Sequence, residues 1–186
     1  MIGYAMCGSF CTVEDSLKQL RRLVDDGCDI QPFMSDILYG TDTRFGKCDE
    51  IRTKVELICG HKIIHTIPGA EPFGPAKKLE ALIIAPCTGN TLAKLASGIT
   101  DTAVCMVAKA HLRNDRPVIV ALASNDALSA NLKNIATLLS RKNYYFVPMT
   151  QDDPEKKPHS LVADFSMIPS TLELALKGKQ INKLIL

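Results

Sequence analysis

The chain lacks tryptophan altogether, and its tyrosines and phenylalanines bring the aromatic share to only 5%. It also lacks an excess of either charge, since 22 basic and 20 acidic side chains are scattered rather than blocked and leave a net charge of +2. Nothing in this balance points to a nucleic-acid or membrane surface. No apolar run approaches the roughly 18 residues of a membrane span. The N-terminus has no basic stretch, and its apolar run is broken by Gly8 and Ser9, which argues against a secretory signal. No CxxC pair, internal repeat or low-complexity segment occurs. Seven cysteines, an odd number, fit reduced thiols in a bacterial-type cytoplasm better than a disulfide framework, so a cytoplasmic protein is expected.

What is present is alternation. The short runs IGYAMC, CDIQPFM, KIIHT, ALIIAP, PVIVALA and YYFVP read as strands, and the longer stretches between them carry the i, i+3, i+4 apolar spacing of helices. ALIIAP and PVIVALA are apolar on both faces, as expected of central parallel strands covered on each side. The pattern predicts an α/β fold: a three-layer, doubly wound, mostly parallel six-stranded sheet of Rossmann-like type. Residues 1–150 form its α/β domain. Residues 151–186 read as a polar linker, QDDPEKKP, and a helical tail, interrupted at Pro169, packed on the same domain.

Ligands of such folds bind outside the carboxyl ends of the strands, and four loops there carry small hydroxyl or amide side chains. They are Gly8-Ser9, Ser35, PCTGNT (Pro86 to Thr91) and ASND (Ala123 to Asp126). Thr12 reads as a helix N-cap with Asp15 completing a capping box, and Asn90 as another N-cap. Unpaired N–H groups at a helix start, joined by Ser or Thr hydroxyls, favour a phosphate. Cys7 and Cys11 offer a metal or redox alternative, but no further ligand has suitable spacing, and no metal site is expected. Cys87 is either a reactive thiol or a small apolar filler.

The third loop is the most specific. IIAPCTGNTLAKLASGITD resembles the signature of the flavin-dependent cysteine decarboxylase and prenyl-flavin synthase superfamily, close to APASANTIAKIANGIADN, with Pro86, Asn90, Thr91, Ala93, Lys94, Gly98 and Asp101 matching. The resemblance continues through AKAHLRNDRPVIVALASNDALSANLKNIATLL and covers residues 2 to 148. It implies FMN, with the phosphate held by Gly8, Ser9 and Ser35. Cys87, Thr88, Gly89, Asn90 and Thr91 would lie along the ribityl chain and ring, with Ser124 and Asn125 in the fourth ligand loop. It also implies a homo-oligomer, because the superfamily builds its flavin pocket between subunits and the region Asn90 to Asn114 is rich in small residues.

Departures accompany the matches. Pro72, in AEPFGP, stands in the register of the decarboxylases' catalytic His, and His61 and His65 do not fit that register, so peptidyl-cysteine decarboxylation lacks its acid or base. ASND replaces a PAMN-like motif. No basic residue lies between Pro117 and Lys133, where prenyl-flavin synthases grip a prenyl phosphate.

TDTRFGK (Thr41 to Lys47), AEPFGP, APCTGNTLAKLASGITD, AKAHLRNDRPV, SNDAL and TQDDPEKKPHSLVA together resemble one branch of the superfamily, the B subunits of dipicolinate synthase from endospore-forming bacteria. This implies an oxidoreductase subunit in the mother cell during sporulation. It would act with the dehydrogenase-like A subunit of dipicolinate synthase on a small dicarboxylate from the dihydrodipicolinate pathway to form pyridine-2,6-dicarboxylate. NADP is expected on that A subunit, because this chain has no GxGxxG with an acidic ribose contact. An FMN-dependent decarboxylase-like or prenyl-flavin-synthase-like enzyme, or a non-catalytic scaffold, are the alternatives. Lys109, His111, Arg113 and Arg116 are either cations for the dicarboxylate or a solvated helix end. TDTRFGK is either a lid with Arg44 as an anion clamp or a polar connection. QDDPEKKP is a loop or a subunit contact.

Overall fold

The computed structural model describes residues 1–76 and 78–186. Its centre is five parallel strands, β1 (Ile2–Met6), β2 (Ile30–Met34), β3 (Leu82–Cys87), β4 (Val118–Ser124) and β5 (Tyr144–Phe146), ordered β2-β1-β3-β4-β5. Every residue of β3 is buried, as is β4 up to Ala123, which matches their unbroken apolar sequences.

Helices α1 (Val13–Asp25), α2 (Asp36–Gly40), α3 (Cys48–Cys59), α4 (Ile67–Ala70), α5 (Gly89–Ser97), α6 (Ala103–Leu112), α7 (Leu132–Leu139) and α8 (Ile168–Leu176) flank the sheet. In α1, Leu17, Leu20 and Leu23 recur every third residue and are buried, so one stripe faces the core. Tyr4 on β1 is fully buried; its hydroxyl meets the carbonyl and hydroxyl of Ser16, each at 3.0 Å, and Ser16 Oγ donates to Ala85 O at 2.6 Å. That chain ties β1, α1 and the end of β3 together beneath the loops, and removing a buried polar link of this kind costs about 1–3 kcal/mol.

The sheet has seven strands rather than six, and the membership differs. KIIHT forms no strand: Ile64 makes one bridge to Phe33, then Thr66 Oγ1 accepts from Gly69 N at 3.2 Å and starts α4 with Pro68 in its first turn. The helix start leaves too few residues to pair. The additional strands are β6 (Met149–Thr150) and β7 (Leu161–Ala163), the latter lying where a linker and helix were expected. β7 runs antiparallel to β4, opposite Ala123 and Ser124, taking over that edge beyond the point where β5 stops, and β6 pairs antiparallel with β7. Three residues are too few to show a period of two.

Candidate functional site

Chain leaving β1 crosses outward to β2, whereas chain leaving β3 crosses the other way to β4. The loops after β1 and β3 therefore diverge, and the crevice between them is where folds of this type accept ligands. Cys7 N donates to Pro86 O at 3.0 Å, and Thr91 Oγ1 donates to Cys7 Sγ at 3.3 Å, so these two loops are fastened together.

In the first loop a Cβ on Gly8 would collide with the Ile37 side chain, so glycine lets the loop lie against α2. Thr12 does not cap α1 with its side chain. Its hydroxyl turns back to Ser9, at 3.0 Å from the carbonyl and 3.1 Å from Oγ, and Asp15 pairs with Lys18 instead of completing a capping box. The single Thr12 proton is shared between the two Ser9 oxygens, which holds Ser9 against the start of α1.

Ser35 follows β2, and its N–H donates to Met6 O at 2.9 Å. The residue is only 8% exposed, and its Oγ is buried without a hydrogen-bond partner among the described residues. A buried hydroxyl is ordinarily satisfied.

In the third loop Thr88, not Asn90, caps α5: its Oγ1 accepts from Thr91 N at 3.2 Å and donates to Thr91 Oγ1 at 3.1 Å. Asn90 sits in the first turn with its side chain exposed. Cys87 is fully buried, and burial pushes its thiol well above the ordinary value; burial likewise raises Cys7 to about 12 against a partial opposing effect of the Thr91 hydroxyl. Neither is a thiolate nucleophile, so Cys87 is a small buried filler, its Sγ donating to Thr88 O at 3.7 Å. Cys11 is exposed. Among the described residues no group of three or more His, Cys, Asp or Glu is placed to hold a metal ion.

The fourth loop holds a polar network that the residue pattern did not reveal. Ser124 Oγ donates to Asp126 Oδ1, Asn131 Nδ2 donates to Asp126 Oδ2 at 2.8 Å, and Asn134 Nδ2 donates to Asn131 Oδ1 at 2.8 Å. The bond from Ser124, helped by Asn131, holds the Asp126 carboxyl below the usual carboxylate range against the opposing effect of burial. Gly89 packs directly on this network: a Cβ there would lie 2.7 Å from Asn131 Nδ2 and 2.8 Å from Asp126 Oδ1. Asn125 is exposed beside it. The Asp of ASND was visible as a departure from the superfamily motif, but Asn131 was hidden in a helix-like run.

Because β7 returns to β4, segment 151–160 is drawn to this end of the sheet. Leu128 N donates to His159 O at 2.9 Å, joining it to the fourth loop. Lys157 pairs with Asp152 at 2.7 Å, and Gln151 Nε2 donates to Pro158 O at 2.9 Å, which closes the segment on itself. QDDPEKKP therefore flanks the crevice.

Other candidates fall elsewhere. His111 is 1% exposed, with Nε2 3.0 Å from Pro117 O, and burial lowers its pKa to about 4, so it is neutral and no cation for a dicarboxylate. Arg116 reaches Leu79 O, ahead of β3. Thr43 and Gly46 exchange backbone hydrogen bonds at 3.0 and 3.1 Å, which makes TDTRFGK a closed turn with Arg44 lying 4.8 Å from the Phe45 ring. Pro72 lies in the 3₁₀ turn Glu71–Phe73, whose Phe73 packs edge-on against Phe33, and Gly74 beyond it abuts Ala110 in the last turn of α6. His61 pairs with Asp29 at 2.8 Å, whereas His65 follows the Ile64 bridge to Phe33 and stacks on Tyr39 of α2 at 3.6 Å, beside the loop of Ser35. Of the alanines in the region Asn90 to Asn114, Ala96, Ala103, Ala108 and Ala110 are buried within the chain and Ala93 is partly exposed.

A sheet wound in both directions, with small-residue loops gathered at its switch point, defines the class to which the family model described as Flavoprotein also assigns residues 2–167. The B subunit of dipicolinate synthase from Bacillus subtilis (strain 168) is 42% identical over 184 residues, covering 99% of this chain and 92% of that protein. The crystal structure of the B subunit of dipicolinate synthase from Bacillus halodurans superposes with a TM-score of 0.91 at 43% identity, covering 100% of this chain and 95% of the other. The FMN-dependent cysteine decarboxylase SpaF shares the fold alone, with a TM-score of 0.70 at 21% identity over 94% and 95% of the two chains. The chain belongs to the flavoprotein family of dipicolinate synthase B subunits. Among the described residues no helix is long and apolar enough to cross a membrane.

Proposed function

We propose that this chain is the B subunit of a dipicolinate synthase, an oxidoreductase acting with a dehydrogenase-like A subunit to form pyridine-2,6-dicarboxylate in the cytoplasm of a sporulating mother cell. The observation that carries the reading is the 42% identity to a dipicolinate synthase B subunit over 99% of the chain. In the proposed reaction a hydroxylated cyclic imine dicarboxylate loses one water. The resulting ring then gives a hydride to NADP, held on the A subunit, while a proton goes to solvent, which leaves the aromatic pyridine.

FMN fits the switch-point loops. Ser35 Oγ is buried without a partner among the described residues, Ser9 is held in the first loop by Thr12, and Gly8 leaves no side chain between that loop and α2. Those three residues would hold the phosphate by N–H and O–H donation. Cys87, Thr88, Gly89, Asn90 and Thr91 would line the ribityl chain and ring, the exposed Asn90 amide being free to bond and Cys87 contributing backbone. Ser124 and Asn125 would close the far side, with Asp126 and Asn131 fixing Ser124. When bound, FMN supplies a two-electron redox ring. Of the chain's own titratable groups there, the two buried thiols are protonated and Asp126 stays ionised.

The protein is further proposed to be a homo-oligomer in which a second copy covers Ile37 and Phe45, which are 59% and 48% exposed on the α2 side of the crevice. Purified chain mixed with the A subunit, the dihydrodipicolinate-synthase product and NADP should generate the ultraviolet absorbance of the pyridine dicarboxylate. Full rate with the A subunit on its own would remove this chain from the catalytic unit. The visible spectrum of the purified chain, with calorimetric titration of FMN, tests the cofactor separately.

A further inference from the structure

A cleft of about 580 Å³ lies at the other end of α5 from its Thr88 cap, bounded by the last turns of α5 and α6 and the start of β5. Nine helical residues span about 13 Å, so a ligand in this cleft does not touch the loops after β1 and β3. The volume lies in the ordinary range for small-molecule sites.

Its floor is apolar, made by Leu95, Ile99, Leu112 and the buried ring of Tyr144. Its wall is cationic. Lys109 and Arg113 stand one helical turn apart, a like-charge spacing that is unfavourable in isolation, and among the described residues neither has an acidic partner at ion-pair distance. Arg141, which lines the same cleft, is braced by hydrogen bonds to Leu95 O at 3.2 Å and Ala96 O at 2.7 Å. Those bonds engage two of the five N–H donors of a guanidinium and hold the rest in a fixed orientation. Among the described residues only Lys142 of these cleft cations is neutralised, by Asp115. An apolar lining that also carries a Lys–Arg pair and a separately braced arginine matches a flat apolar molecule with more than one anionic group. Inorganic anions match the charge but not the floor.

We infer that this cleft is a second small-molecule site, for an aromatic dicarboxylate. The preference for an apolar-bodied dianion comes from the cleft; the choice of pyridine-2,6-dicarboxylate as that dianion rests on the proposed function. A bound dianion would relieve the Lys109–Arg113 repulsion and meet the guanidinium of Arg141 through charge-assisted hydrogen bonds.

The test is a two-dimensional amide NMR titration of the full chain with pyridine-2,6-dicarboxylate in metal-free buffer, repeated with inorganic phosphate and with the double variant Lys109→Gln, Arg113→Gln. Expected are shifts at residues 98–100, 109–113 and 141–144, an affinity weakened about tenfold or more in the double variant, and weaker binding of phosphate. Both substituted side chains are exposed, so the variant should keep its circular dichroism and its affinity for FMN. Shifts confined to the loops after β1, β2, β3 and β4, or equal affinity of wild type and variant, would overturn the inference. Phosphate binding as tightly as the dicarboxylate would overturn the ligand class. Mapped binding in the cleft alongside an A subunit that needs no partner would sink the proposed function and leave the cleft standing; full paired activity without cleft shifts would do the reverse.

Discussion

Replacing Gly89 by alanine probes the contact between the third and fourth loops directly. The added Cβ would lie 2.7 Å from Asn131 Nδ2, 2.8 Å from Asp126 Oδ1 and closer still to Ser124 Oγ, all inside the 3.0 Å that real Cβ contacts respect. None of these atoms is the loose end of a flexible chain, because Ser124 and Asn131 are both bonded to the Asp126 carboxylate. Overpacking of this kind costs about 1–3 kcal/mol, and a displaced network bond adds about 1 kcal/mol. Against this, alanine in a helix is favoured over glycine by up to about 1 kcal/mol. The net expectation is a loss of about 1–3 kcal/mol, which for a chain of this length lowers the melting temperature by roughly 3–10 °C.

Circular-dichroism melts at fixed pH and protein concentration measure it. Gly40→Ala is the internal control, since nothing lies within 4 Å of a Cβ there and the change should stay within about 0.5 kcal/mol. If the clash is the cause, Ser124→Ala in the Gly89→Ala background should recover about 1 kcal/mol relative to additivity. A Gly89→Ala protein melting within about 1 °C of wild type would refute the packing argument.

Ser35→Ala should weaken FMN binding about tenfold while leaving the melting temperature of the ligand-free chain unchanged or higher, because the hydroxyl makes no internal bond; a stability loss, or unaltered calorimetric affinity, would show that the hydroxyl serves the fold. Ser9→Asp should abolish FMN binding by setting a carboxylate against the phosphate, and undiminished binding would remove the first loop from the site. His111, whose folded pKa of about 4 lies below the free value of 6.5, contributes stability that is fully present above pH 6.5 and lost as the pH falls from there towards 4; urea midpoints of His111→Gln should show a flatter acid limb, and parallel curves for the two proteins would exclude this histidine. The chain alone should release no carbon dioxide from a cysteinyl peptide, since Pro72, in a turn packed against α6, stands in the register of the decarboxylases' catalytic His and offers no acid or base; turnover under reducing conditions would reverse that conclusion.

Much of the architecture is legible along the chain because it depends on local periodicity. ALIIAP and PVIVALA, apolar on both faces, had to be inner parallel strands, and Leu17, Leu20 and Leu23 had to face a core. The small residues of PCTGNT and ASND sit where strands end, so the location of the crevice follows from the order of the elements. KIIHT shows the limit of that logic: its apolar content is a strand's, yet Thr66 and Pro68 begin a helix before pairing can extend. The remaining features arise between residues far apart in the chain. β7 is a strand because β4 offers a free edge beyond β5 to a run too short to specify pairing by itself, and that pairing brings segment 151–160 to the fourth loop. Gly89 meets Asp126 and Asn131, and Ser35 loses its water, only when separate loops converge. His111 shares a helix end with Lys109 and Arg113, yet burial makes it neutral while the other two face a cleft closed by Arg141. Periodicity and propensity are properties of neighbours in sequence, whereas desolvation and charge pairing are set by neighbours in space, and the chemistry of this crevice belongs to the second kind.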